Sequence, residues 1–205
     1  EVLWNNIIPT DGVSIFSIHE YFNGEYLLCG QTNVCATALI MRVDKGTGNI
    51  LGQRQYDIGN CITFFDSEIS GDQLLLTGRY EVNAGNLGYR AALTEISLVD
   101  FSIQWSDHYF FDRNALARQG CTNIKLVDNE LYGAGYSSIG NANPGSFRAL
   151  VSKWDLQGNP IWSKEINLND VSDQFFRNLF VSEQNLYLFG RTINELNRRP
   201  NITIT

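Results

Sequence analysis

Chemistry in this sequence would have to come from a few groups of residues. Arg79, Tyr80, Tyr136 and Arg191 stand just after glycines that recur along the chain, and Asp107, His108, Asp112 and Arg113 crowd into its longest loop-like stretch. Aromatic rings beside carboxylates and amides suit a glycan or a peptide, through stacking and bidentate hydrogen bonds. Glu81, Asp107, Asp112, Asp170 and Asp173 could furnish the acid and the base or nucleophile that glycoside hydrolysis needs across the scissile bond. Spacing does not pair them, because acids in surface loops are ordinary. No Gly-x-Ser-x-Gly, Walker loop, Gly-x-Gly-x-x-Gly or His-Glu-x-x-His is present. Cys29, Cys35, Cys61 and Cys121 include no Cys-x-x-Cys, and only His19 and His108 could join them, so zinc is not expected. Asp155 and its neighbours lack the alternate oxygen ligands of a calcium loop and read as a hairpin turn. No cofactor or metal is expected.

A repeat must position these residues. Four segments end in glycine after mostly apolar residues: Leu27-Leu28-Cys29-Gly30, Leu75-Leu76-Thr77-Gly78, Tyr132-Gly133-Ala134-Gly135 and Tyr187-Leu188-Phe189-Gly190. A second set comprises Ala38-Leu39, Ala92-Leu93 and Ala149-Leu150, and a third Trp4, Leu51, Trp105 and Trp162. From Ala38 to Leu51, Ala92 to Trp105 and Ala149 to Trp162 the step is 13 residues each time, whereas the glycine-to-alanine step varies. Insertions are therefore confined to one connection. Each period of 48 to 57 residues holds four strand-like runs, in the third copy 123–127, 130–136, 147–155 and 160–166. Gly/Asn turn signals such as Asn23-Gly24 and Asp128-Asn129 separate them.

Four antiparallel strands per repeat of this length predict an all-β fold, a β-propeller of four-stranded antiparallel blades that each bury a face on the next. The blades are expected at about 9–56, 57–110, 111–166 and 167–205, with a further strand at 2–8, in one domain. Two closures fit: a four-bladed ring in which 2–8 completes the last sheet, or a section of a larger propeller. Runs such as RALVSKWDLQGNPIWSK (148–164) resemble the blades of exported bacterial propellers related to the quinoprotein-like and WD-repeat superfamilies, similar to those associated with type IX secretion. Leu51 in place of Trp, and Leu98 in place of the turn Asp, depart from that pattern. The resemblance implies a scaffold rather than an activity. The variable connections, 31–36, 79–88, 137–146 and 193–199 within blades and 9–12, 57–60, 107–120 and 167–174 between them, are expected on one rim, a usual place for a binding site.

Composition narrows the classes. At 43% hydrophobic and 18% charged residues the chain can bury a core and is not disordered. No run approaches the ~20 apolar residues that span a bilayer, so no membrane insertion is expected. A net charge of −7 argues against nucleic acid as partner. Four unclustered cysteines favour disulfides and a secreted or cell-surface protein, with Cys29–Cys35 and Cys61–Cys121 preferred among the three pairings and buried thiols the alternative. The function expected is a non-catalytic, exported propeller that binds a protein or glycan at the long-loop rim, as part of a surface adhesin or assembly. The alternative is a carbohydrate-active enzyme, hydrolase or lyase, that uses rim carboxylates.

Overall fold

A computed structural model describes residues 12–32, 37–57, 62–83, 86–109, 118–138, 147–166, 173–182, 185–193 and 200–204. They form consecutive antiparallel sheets. The first holds β1 (Val13–Tyr21), β2 (Glu25–Thr32), β3 (Thr37–Asp44) and β4 (Ile50–Tyr56), and the second β5 (Ile62–Ser70), β6 (Gln73–Asn83), β7 (Asn86–Ser97) and β8 (Ile103–Tyr109). The third comprises β9 (Arg118–Val127), β10 (Glu130–Ser138), β11 (Phe147–Asp155) and β12 (Pro160–Ile166), and the fourth β13 (Asp173–Ser182), β14 (Asn185–Ile193) and β15 (Pro200–Ile204). The chain is thus a β-propeller of about four blades. Single parallel bridges, Tyr89 to Arg118 and Phe147 to Asp173, join the second blade to the third and the third to the fourth. No described helix is long and apolar enough to cross a membrane. Trp4 and the strand expected at 2–8 lie outside the described residues.

The recurring glycine has a structural cause. In every blade the first strand carries a β-bulge opposite it. Ile15 pairs with Gly30 and Ser17 with Cys29, skipping Phe16; Phe64 pairs with Gly78 and Asp66 with Thr77, skipping Phe65. Thr122 and Arg177 are skipped in the same way opposite Gly135 and Gly190. A Cβ on Gly135 would overlap the carbonyl oxygen of Gly120, and one on Gly78 that of Thr63. Glycine lets the bulged strand come this close, and the bulge turns the extra side chain out of the ladder. The bulge and Gly120 also explain why β9 starts at Arg118 rather than at 123: they interrupt the period-2 pattern that marked the strand.

Two expectations shift in register. Ala38 pairs with Tyr56, Ala91 with Tyr109 and Ala149 with Ile166, so Ala91 rather than Ala92 is the second copy's equivalent. Gly52 rather than Leu51 occupies the place of Trp105 and Trp162, across from Arg42, Glu95 and Lys153 respectively.

Three apolar clusters fill the interfaces between successive blades. Leu27, Ile40, Phe64 and Ile96 anchor the first, Leu75, Leu93, Ile124 and Trp154 the second, and Val151, Phe176 and Leu188 the third. Each such side chain contributes roughly 1.5–3 kcal/mol on burial. Hydrogen bonds repeat across these interfaces. Asp66 accepts from the Ile124 amide at 3.0 Å and from the Asn123 side chain, and Asn123 Oδ1 accepts from the Leu179 amide at 2.9 Å. At the outer edge the Tyr56 hydroxyl donates to Phe101 O at 3.0 Å, and that of Tyr109 to Gly158 O at 2.5 Å. The fourth blade presents Phe180, Tyr187 and Phe189 outward, Phe189 being 38% exposed where its counterparts Cys29, Thr77 and Ala134 are buried.

The disulfide expectation is corrected. Cys29 and Cys121 are buried free thiols, while Cys35 and Cys61 lie outside the described residues. Cys121 sits within β9, paired with Gly135, and does not precede the strand. Cys29 faces Ser17 and Ser67 in the packing layer between the first two blades, and burial raises its thiol to about 11 and that of Cys121 to about 12. Both are inert, protonated core side chains at neutral pH.

Candidate functional site

The bulges converge on one opening. Phe65, Thr122 and Arg177, the bulge residues of the second, third and fourth blades, line a cavity of about 550 Å³. Arg79 of β6 and Tyr136 of β10, each directly after its repeat glycine, line it too, as do Tyr89, Arg118 and Phe147 at the blade-joining bridges. The first strands and the bridges between blades thus build the site, and the outer strands support it.

Within the cavity the polar groups are organised by aromatic rings. The Arg79 guanidinium lies 4.6 Å from the Tyr89 ring centre and 5.7 Å from that of Phe65, and Arg118 lies 5.9 Å from Tyr89. Such contacts fix the planes of both guanidinium groups. Tyr136 is buried edge-on to Phe147, with ring centres 5.5 Å apart, and a Cβ on Gly120 would collide with its ring. Burial pushes its phenol up, opposed by the nearby Arg79, which also hydrogen-bonds the hydroxyl. Tyr136 is therefore a neutral phenol held by a cation. Thr122 donates to Phe176 O at 2.6 Å, closing the floor between the third and fourth blades. Among the described residues no group of three or more His, Cys, Asp or Glu side chains could hold a metal ion.

The residues singled out by sequence divide into three groups. Arg79 and Tyr136 meet in the cavity. Tyr80 points to the other face of the second blade, packs against the first interface and stacks on His108 at 4.6 Å between ring centres. Asp107 and His108 belong to β8, an outer strand, and not to a loop; both are exposed, and Asp107 Oδ1 accepts the His108 amide at 2.7 Å. Arg191 lies in β14 opposite Phe175, and its side chain, like all of Asp112 and Arg113, falls outside the described residues. Of the carboxylates, Glu81 follows Arg79 by two residues on the same strand face, directly across from Tyr89. Asp173 pairs with Phe147 through the backbone, and Asp170 lies outside the described residues.

Sequence reasoning missed Phe65, Tyr89, Arg118, Thr122, Phe147 and Arg177. One signal could have found three of them: Phe65, Thr122 and Arg177 each stand 13 residues before their blade's glycine, at a position whose residue type changes from copy to copy.

No protein-family model matches the chain, and no curated protein matches it in sequence. Solved structures do match in fold. An exo-1,5-α-L-arabinanase from a bovine ruminal metagenomic library superposes with a TM-score of 0.52 at 10% identity, over 91% of this chain and 71% of that one. A glycoside hydrolase gives 0.52 at 9% identity, over 91% and 63%. A subtype N11 neuraminidase-like protein of A/flat-faced bat/Peru (H18N11) gives 0.55 at 11%, over 98% and 61%. The chain thus spans about two thirds of the length of these structures. Identity this low shows the fold alone. The expectation of a non-catalytic scaffold is nonetheless corrected toward its carbohydrate-active alternative, which these structures favour because they are named for glycoside hydrolases and a neuraminidase-like protein and match nearly the whole of this chain.

Proposed function

We propose that this chain forms the substrate-binding core of a carbohydrate-active enzyme, a glycoside hydrolase or lyase. The observation that carries the reading is the cavity, in which aromatic walls from Phe65, Tyr89 and Phe147 surround the Arg79–Tyr136 pair. Rings of this kind stack on the apolar faces of sugars, while guanidinium and phenol groups hydrogen-bond their oxygens. Arg79 and Tyr136 bind and orient the sugar. Glu81 is not itself among the cavity's lining residues but lies two residues beyond Arg79 on the same face of β6, and it is the described carboxylate proposed to exchange a proton with the glycosidic oxygen or to activate its attacker. Its partner is assigned to Asp112, Asp170 or Asp173. The exposed Asp107 on β8 is assigned no part in the reaction.

Reducing-sugar release from a panel of plant and animal polysaccharides tests the proposal. Turnover is expected, reduced at least about 100-fold by Glu81→Gln with an unchanged melting temperature. Silence across the panel, or full activity in Glu81→Gln, would overturn the reading or the assignment respectively.

A further inference from the structure

The cavity is cationic in an acidic chain. The whole sequence has 15 Lys and Arg against 22 Asp and Glu, yet Arg79, Arg118 and Arg177, from three successive blades, line this one opening. None of its described lining residues is a carboxylate, and among the described residues neither Arg79 nor Arg177 forms an ion pair with one. Like charges gathered this way repel one another in a partly desolvated site, and an anion between them relieves that cost.

The donor inventory points the same way. A neutral sugar offers hydroxyls that both donate and accept, so its sites need acceptors as well as donors. Here the described polar side chains are three guanidinium groups, which only donate, and the hydroxyls of Thr122 and Tyr136. Thr122 already donates to Phe176 O, and Tyr136 takes a hydrogen bond from Arg79. Arg79 and Arg177, which form no ion pair among the described residues, thus bring charged, planar donors to the opening beside Arg118, the geometry that grips an oxyanion in two-pronged fashion. Tyr89 braces two of the three forks, because Arg79 and Arg118 both lie over its ring.

We propose that the cavity selects an acidic sugar, with the carboxylate or sulfate of one unit held by Arg79, Arg118 and Arg177 while the rest of the ring lies against Phe65 and Phe147. The proposal deepens the carbohydrate reading above and rests on it. Titration calorimetry on the whole chain tests it with three oligosaccharides of equal length: a galacturonic acid oligomer, a sulfated galactose oligomer and a neutral galactose oligomer. At least one acidic probe is expected to bind about 30-fold or more tightly than the neutral one, with affinity falling as salt rises. Which acidic probe wins identifies the oxyanion. Arg177→Ala, at an exposed position that leaves packing intact, should cost the acidic probe at least about tenfold more than the neutral probe, and Arg177→Lys should recover only part of that loss. Equal affinity for acidic and neutral probes, or complete rescue by lysine, would overturn the proposal. An acidic probe bound but never cleaved would uphold anion recognition and sink the enzyme reading, whereas cleavage of the neutral probe without preference would do the reverse.

Discussion

The inner and outer edges of the blades use one repeat in opposite ways. At the outer edge the same residue types make the same contacts: Tyr56 and Tyr109 each reach the hairpin of the next blade, and Asp44 and Asp155 each tie down a hairpin through their own carboxylates. At the inner edge the backbone is constant and the side chains are not. Every blade places a bulge opposite its glycine, but the bulged residue changes from Phe16 and Phe65 to Thr122 and Arg177. Sameness secures the scaffold, and departure from sameness creates the site. A residue recurring in every blade is thus a poor guide to ligand contact, whereas a repeat position that varies against a fixed backbone is a good one.

The comparison breaks first at the glycines. Gly135→Ala should cost about 3 kcal/mol or more in urea unfolding, because its Cβ has only main-chain atoms to displace. Gly52→Ala in β4 should shift stability by less than about 0.5 kcal/mol, since a Cβ there meets nothing within 4 Å. Equal costs at the two sites would remove the bulge as the reason for the repeat glycine. Next in size, Tyr136→Phe should weaken acidic-oligosaccharide binding about tenfold, by freeing Arg79 from the hydroxyl that orients it. Unaltered binding would detach Tyr136 from the site. At the outer edge, Tyr109→Phe removes one hydrogen bond to Gly158 and should cost about 1 kcal/mol without altering ligand affinity. A change in affinity would show that the two edges are not independent.

The same contrast explains what was legible in sequence. Strands β11 and β12 lie at the expected residues because their alternation is uninterrupted and their turns carry Asp and Gly. Arg79 and Tyr136 were found because they follow the repeat glycines, which mark the bulge from the opposite strand. Thr122 and Arg177 were not, because a bulge breaks the period-2 pattern by which strands are read, and the extra residue looks like a strand that has not yet begun. Asp107 and His108 were misplaced for a related reason: polar residues near a long connection read as loop, yet an exposed outer strand is polar on its open face. The cysteines misled because spacing cannot tell a buried thiol from a bridged one; Cys29 in β2 and Cys121 in β9 lie in different blades, each as a free thiol.

The smallest effect sharpens the comparison through pH. At the outer edge Asp100 accepts from the hydroxyl and amide of Ser102, which holds its carboxyl at about 2 against an ordinary 3.8. A lowered folded value means that the contribution is present above the unfolded value and is lost as pH falls from about 4 toward 2. At the inner edge Asp66 behaves in the opposite sense. Burial between the second and third blades raises its carboxyl, despite hydrogen bonds from the amides of Ile124 and Ser67. Protonation therefore favours the fold there, and that contribution is present at low pH and declines as pH rises through the folded value. Urea midpoints of the parent chain, Asp100→Asn and Asp66→Asn from pH 2 to 6 separate the two. The deficit of Asp100→Asn should shrink on acidification, and that of Asp66→Asn should grow. Parallel curves for the two variants would mean that the inner carboxylate is as well solvated as the outer one, and that the first strands are not the dry, closely packed seam on which the cavity is built.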